Sequence, residues 1–168
     1  GLAPADIGVL ALGIGPGSYT GIRLAISVAQ GWSLAGEGTR PVEIRTLSSF
    51  ELMAETLVGK AWVAADAQRD EWAIAQVETG RLISEARLIP TSELISLAAT
   101  ERVVGPEVFP RLGVGQRAFP EAVALGLLAE SRGRVTAPEA LEAVYLRAAN
   151  FVKAPVSRNL PGITSPGN

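Results

Sequence analysis

The chain has 168 residues, 48% of them hydrophobic and 19% charged, and a net charge of −2 from 15 basic and 17 acidic side chains. This is the composition of a soluble globular protein with room for a real core, and no basic block marks it for unaided nucleic-acid binding. Cysteine and histidine are both absent, which excludes disulfides, thiol catalysis, cysteine zinc sites, histidine-based triads and the usual zinc-hydrolase ligand sets.

Residues 6–13, DIGVLALG, are apolar without alternation, the pattern of a strand covered on both faces in a parallel sheet. The turn GIGPG follows. A helical pattern then runs from Ser18 to about Leu34, with Gly36 and Gly38 as its stop. Val42–Leu47 reads as a short strand. Ser48 or Ser49 then caps a helix over FELMAETLV that ends at Gly59. Strand, helix, strand and helix in this order argue for an α/β layer with parallel pairing.

The pattern changes at Lys60. Two strands, Trp62–Ala65 and Glu71–Val77, flank a polar turn at Gln68–Asp70, and GRLISEARLI adds another strand after Gly80. Pro90, Thr91 and Ser92 open a helix through Ala99, and RVVG is a short buried strand. Helices are predicted over Phe119–Arg132 and from Ala137 to about Val144. The stretch Val156–Asn168 is rich in Pro, Gly, Ser and Asn and reads as a disordered tail. No apolar run approaches the ~20 residues that cross a bilayer and no secretory signal is visible, so cytoplasm is the default compartment. The first residue is Gly1 rather than Met, which suggests a fragment or a processed product.

The turn and its helix pose the functional question. Glycines permit close backbone approach, a helix N-terminus favours anions, and Ser18, Thr20 and Arg23 add hydroxyls and a cation. The specific phosphate motifs nevertheless fail. A P-loop needs a lysine that is missing here. A dinucleotide fingerprint from Gly15 needs glycine where Thr20 stands, and a nucleophile elbow needs one where Pro16 stands. The competing reading is a strand-to-helix turn capped by Ser18. Within the helix, Gly21, Ala25 and Ala29 recur every four residues as a smooth stripe, flanked by Ile22, Ile26, Val28 and Trp32. Such a helix needs more than one covered face, the second supplied by this chain or by a partner.

GIGPGSYTGIRLAISVAQGWSLA resembles the GPGSFTGIR segment of the bacterial TsaB (YeaZ) family. TLSSFELMA, DAQRDEWAIA and AVYLR resemble that family's later segments and follow in its order, so the resemblance runs from about Asp6 to Arg147. Tyr19 stands for the usual Phe and Gln68 for the usual Arg, Trp72 stands near the usual Val-Tyr, and Val144 precedes Tyr-Leu-Arg. The family's front unit, with its Asp-Thr-Ser turn, has no counterpart, so the chain reads as N-terminally truncated relative to the family. The strand at Ile7–Leu12 would then have an uncovered edge.

The resemblance implies an α/β protein of the actin-like, Hsp70-type ATPase (ribonuclease H-like) fold in two lobes. Residues 1–58 would form a partial first lobe, 59–147 the second lobe and closing segment, and 148–168 the tail. It further implies a non-catalytic subunit in threonylcarbamoyladenosine modification of tRNA. That subunit pairs as a heterodimer with TsaD, the metal-bearing threonylcarbamoyltransferase, is joined by TsaE, and forms a homodimer when alone. tRNA would be met only through the complex. No cofactor or metal would be held by this chain alone, with ATP or ADP placed at the complex interface. The absence of His, and with it of TsaD's His-x-x-x-His metal motif, sets this chain apart from TsaD itself.

The residues set at the partner interface or near nucleotide are Gly15, Gly17, Ser18, Thr20, Gly21, Arg23, Ala25, Ala29 and Trp32, with Gln30 and Ser33 where the helix could face a partner. Arg23 pairs with a partner carboxylate, contacts nucleotide, or is solvated. Asp66, Arg69, Asp70 and Glu71 make a polar hairpin tip, read as solvated rather than metal-binding. Tyr145 and Arg147 lock the last segment onto the body. Two competing functions are a nucleotide-binding phosphotransferase of the same fold, holding phosphate at Gly15–Ser18, and a peptidase, as the family is sometimes called after TsaD.

Overall fold

The computed structural model describes residue 3 and residues 6–36 and 41–146. Gly38, Arg147 and the predicted tail at 148–168 lie outside the described residues. The protein is mixed α/β, with two sheets, each covered by helices on both faces. No helix among the described residues is long and apolar enough to cross a membrane.

The first sheet holds β1 (Val9–Gly13), β2 (Glu43–Leu47) and β8 (Arg134–Val135) in the order β1-β2-β8. β1 and β2 are parallel, as the βαβ pattern predicted, in a register that sets Val9 opposite Glu43 and Gly13 opposite Leu47. Between them runs α1 (Tyr19–Gly36). The short β8 pairs antiparallel with β2. Side chains alternate across this sheet: Leu12 and Ile44 pack with Ile26 and Ala29 of α1. Leu47 packs on the other face with Leu52, Leu128 and Ala129, the last two from α5 (Ala122–Arg132). Arg45 ties α5 to the sheet by donating from Nη1 to the carbonyls of Ala129, at 3.0 Å, and Glu130, at 2.8 Å.

The second sheet runs β5-β4-β3-β7, with β6 also on β4. Its strands are β3 (Lys60–Asp66), β4 (Glu71–Glu78), β5 (Arg81–Leu82), β6 (Arg87–Pro90) and β7 (Val103–Val104). The period of two is plain here. Ala61, Val63 and Ala65 of β3 and Ala73, Ala75 and Val77 of β4 face one core. Ala64, Trp72 and Ile74 face the other. α2 (Ser49–Ala54) covers the first face with Phe50, Met53 and Ala54. The second face is covered by α3 (Thr91–Ala98) and α4 (Val108–Leu112), through Leu94 and Val108. Each large apolar side chain sealed this way contributes roughly 1.5–3 kcal/mol.

α2 is the wedge between the sheets, since its Leu52 packs with the first and its Phe50 and Met53 with the second. Its start is a reciprocal capping box: Phe50 N–H donates to Ser48 Oγ at 3.1 Å, and Ser48 N–H to Glu51 Oε2 at 2.9 Å. A six-residue helix has little intrinsic stability, so the cap counts. Ser48→Ala is expected to lower unfolding stability by ~1 kcal/mol, read as a lower urea midpoint at unchanged slope. The same variant behaving as wild type would show that packing alone holds α2.

Several predicted elements are corrected. α2 stops at Ala54 rather than near Gly59, because the chain turns to bury Leu57 in the core. The single strand predicted after Gly80 is two short ones, since Ser84 Oγ accepts from Gln76 N–H at 2.8 Å and interrupts the ladder. α5 begins at Ala122 rather than Phe119, because Pro120 disfavours helical backbone at the residue before it. The helix predicted from Ala137 is only a 3-10 turn at Pro138–Ala140. Beyond it the chain extends to bury Leu141 and Ala143 against α1, and Val144 N–H donates to Ile14 O at 2.8 Å. α4 was not anticipated, because Pro110 argues against a helix; it falls in the first turn, where no donor is lost.

Candidate functional site

The Gly-Pro-Gly turn is fastened on three sides. Ile14 N–H donates to Leu47 O, Gly15 O accepts from Ser49 N–H, and Ile14 O accepts from Val144 N–H. Gly15 and Pro16 are buried, and the Gly15–Pro16 peptide is cis. Gly15 has φ +100, and a Cβ there would lie 2.9 Å from Ile22 Cδ1, so conformation and space both require glycine. Gly17, Ser18, Tyr19 and Thr20 are exposed. Ser18 caps α1: its Oγ accepts from Gly21 N–H at 3.2 Å and its carbonyl from Ile22 N–H at 3.0 Å.

Arg23, one turn on, donates to the Tyr19 hydroxyl and lies over the Tyr19 ring, 5.1 Å from its centroid. That hydrogen bond raises the guanidinium pKa above its ordinary value, so Arg23 is cationic wherever the protein is folded. The Tyr19 ring lies 5.5 Å from that of Tyr145 at 39°. The turn, the start of α1 and the closing segment thus meet at one aromatic corner.

α1 has two distinct faces. Ile26 and Ala29 are buried and Ile22 half-buried, against β1, β2 and the closing segment. The opposite face is bare and apolar: Leu24 is 64% exposed, Val28 56% and Leu34 66%, with Gly21 and Ala25 exposed among them. The small-residue stripe therefore does not stay on one side. Four residues turn a helix by about 400°, so each step drifts about 40°, and Ala29, only 2% exposed, faces inward. Leu24 and Val28 were not singled out as outward-facing, although their spacing with Gly21 and Ala25 carries that signal. Trp32 and Ser33 are half-buried. Gln30 is turned toward its own chain, donating from Nε2 to Pro138 O at 2.9 Å.

The hairpin tip lies across a cleft from this corner. Gln68, Arg69 and Asp70 all have φ near +60. Asp66 is consumed locally, accepting from Gln68 N–H and Nε2 at 2.9 Å each and pairing with Arg111. The Asp70 carbonyl accepts from Thr91 N–H, and Thr91 Oγ1 accepts from Trp72 Nε1 at 3.0 Å. Among the described residues no group of three acidic side chains could hold a metal. Arg111 escaped sequence reading because α4 itself was missed. A cleft of about 1070 Å³ separates the tip from Ser18, Tyr19, Arg23 and Tyr145.

No family model matches the chain. It is 30% identical, over 174 aligned positions, to the tRNA threonylcarbamoyladenosine biosynthesis protein TsaB of Escherichia coli (strain K12), covering 88% of this chain and 74% of that protein. Among solved structures it is similar to YeaZ from Pseudomonas aeruginosa, with a TM-score of 0.62 at 25% identity, covering 86% of this chain and 77% of the other. It is also similar to a crystal structure described as an uncharacterized protein with similarity to peptidase YeaZ from Pseudomonas aeruginosa. That match has a TM-score of 0.61 at 26% identity and covers 87% and 76% of the two chains.

Proposed function

The chain belongs to the TsaB family, and from that membership we propose that it serves threonylcarbamoyladenosine biosynthesis in tRNA as a non-catalytic subunit that activates the TsaD threonylcarbamoyltransferase. In this reading the fold is the actin-like one in two lobes, and α1 is the helix that meets TsaD.

The observation that carries the proposal is the bare side of α1. A helix with one apolar side in its own core and Leu24 and Val28 exposed on the other has a surface suited to a second protein. Gly21 and Ala25 allow a close approach there. The side chains present also suit a subunit better than a catalyst. The Ser18 hydroxyl is engaged in its own helix cap, Arg23 is bonded to Tyr19, and the sequence holds no histidine or cysteine. TsaE joins the assembly, and tRNA is met there.

The test is a mixture of the full-length protein with its TsaD, followed by light scattering and a threonylcarbamoylation assay. A complex with the summed mass of both chains, and modification that requires both, is expected. Full-length chains that never associate, or a TsaD equally active alone, would sink the proposal.

A further inference from the structure

The tip of the β3–β4 hairpin holds a backbone that its residues disfavour. Gln68, Arg69 and Asp70 have φ of +63, +56 and +63. These are three successive left-handed residues with no glycine among them, although glycine takes that backbone without steric cost. A set of bonds keeps them there. Ala67 N–H donates to Glu71 O at 3.0 Å, and Glu71 N–H to Gln68 O at 3.1 Å. Asp66 accepts twice from Gln68 and pairs with Arg111. The Asp70 carbonyl accepts from Thr91 N–H at 3.0 Å and from Thr91 Oγ1 at 3.2 Å. Thr91 Oγ1 in turn accepts from the fully buried Trp72. Strain persists where the surroundings over-determine it, and such places cluster at functional surfaces. What this scaffold presents is Arg69, exposed and without an ion-pair partner among the described residues. Asp70 stands exposed beside it.

We propose that the tip is a second contact to TsaD, Arg69 donating to a carboxylate of that protein and Asp70 accepting from a cation next to it. The inference rests on the reading of this chain as TsaD's partner. Charge decides for a protein over RNA. Arg69 has Asp66, Asp70 and Glu71 as sequence neighbours in a chain of net charge −2, so a phosphate backbone would meet like charge there. A protein surface can set a carboxylate and a cation side by side, the complement of Arg69 and Asp70. The tip and the start of α1 line one cleft, so a single partner of domain size can span both. Held rigid, the tip loses little entropy on docking. A glycine tip would be relaxed but mobile.

The test is the affinity of the full-length protein for TsaD, by calorimetry at low and raised salt, beside urea unfolding of the free chain. Arg69→Gln is expected to weaken binding at least about tenfold at low salt, to flatten its salt dependence and to leave the urea midpoint unchanged. Arg69→Gly should raise the midpoint, by relieving the left-handed backbone, and still bind weakly. Arg69→Lys keeps the charge without the planar fork and should fall between. Arg69 is exposed, so each variant leaves both cores intact. Normal TsaD affinity in Arg69→Gln would overturn the inference and leave the TsaD reading standing, whereas chains that never associate would end both. A midpoint that fails to rise in Arg69→Gly would remove the strain on which the argument stands. Arg69→Gln that binds TsaD normally but weakens the hold of the complex on tRNA would assign the tip to RNA instead.

Discussion

Ala25→Arg is expected to weaken association with TsaD by about 30-fold or more, ~2 kcal/mol, while leaving the melting of the isolated chain unchanged. Ala25 sits on the bare side of α1, so a longer side chain enters solvent and disturbs no core contact. On docking, the same side chain would stand between two surfaces that Gly21 and Ala25 otherwise let approach closely, and its charge would have to be desolvated. The neighbouring Gly21 is a poorer test: a Cβ there would meet Ser18 Oγ at 3.3 Å and disturb the α1 cap. Leu24→Asp, at a 64% exposed position, should reproduce the loss by removing apolar contact. If both variants bind TsaD like wild type, the contact lies elsewhere on the molecule.

Gly105→Ala should cost ~3–5 kcal/mol of unfolding free energy, the upper range for a single substitution. The added Cβ would lie 2.0 Å from the Ala64 carbonyl oxygen and 2.9 Å from Val108 Cγ2. Neither can retreat cheaply. Ala64 lies in β3, paired with β4 and fully buried. Gly105 is itself pinned, its N–H donating to Gln116 O at 2.9 Å. Gly113→Ala is the control. Its φ is +68, but a Cβ there meets nothing within 4 Å, so only the backbone conformation is penalised, by ~1 kcal/mol. Urea unfolding of the two variants separates steric from conformational cost. Gly105→Ala within 1 kcal/mol of wild type would mean that β7 and β3 can part without loss.

Where local pattern and tertiary demand agreed, the sequence was readable. The apolar run of β1, the βαβ order and the hairpin of β3 and β4 declare themselves through periodicity and turn residues. Ser18 was readable as a cap because the signal is local, and so was a cap at Ser48 or Ser49, of which the structure uses Ser48. The errors share one cause. The region from Ala137 has helical composition, yet burying Leu141 and Ala143 beneath α1 and tying Val144 to Ile14 outweighs that propensity. Ser84 breaks a strand through a bond to Gln76 that no local pattern announces.

The candidate site divides in the same way. Sequence alone determined the chemistry that is missing, since a chain without His or Cys lacks those nucleophiles, bases and ligands in any fold. It also determined the glycine turn, the capped helix and the family resemblance, because each rests on neighbouring residues. Tertiary structure decided which side of α1 is bare, turning Ala29 inward and leaving Leu24 and Val28 out. It also brought Glu107 to the same cleft as Arg23, 84 positions earlier in the chain. Facing and distance depend on where the sheets lie, and that is set by the burial of both cores together rather than by any one stretch.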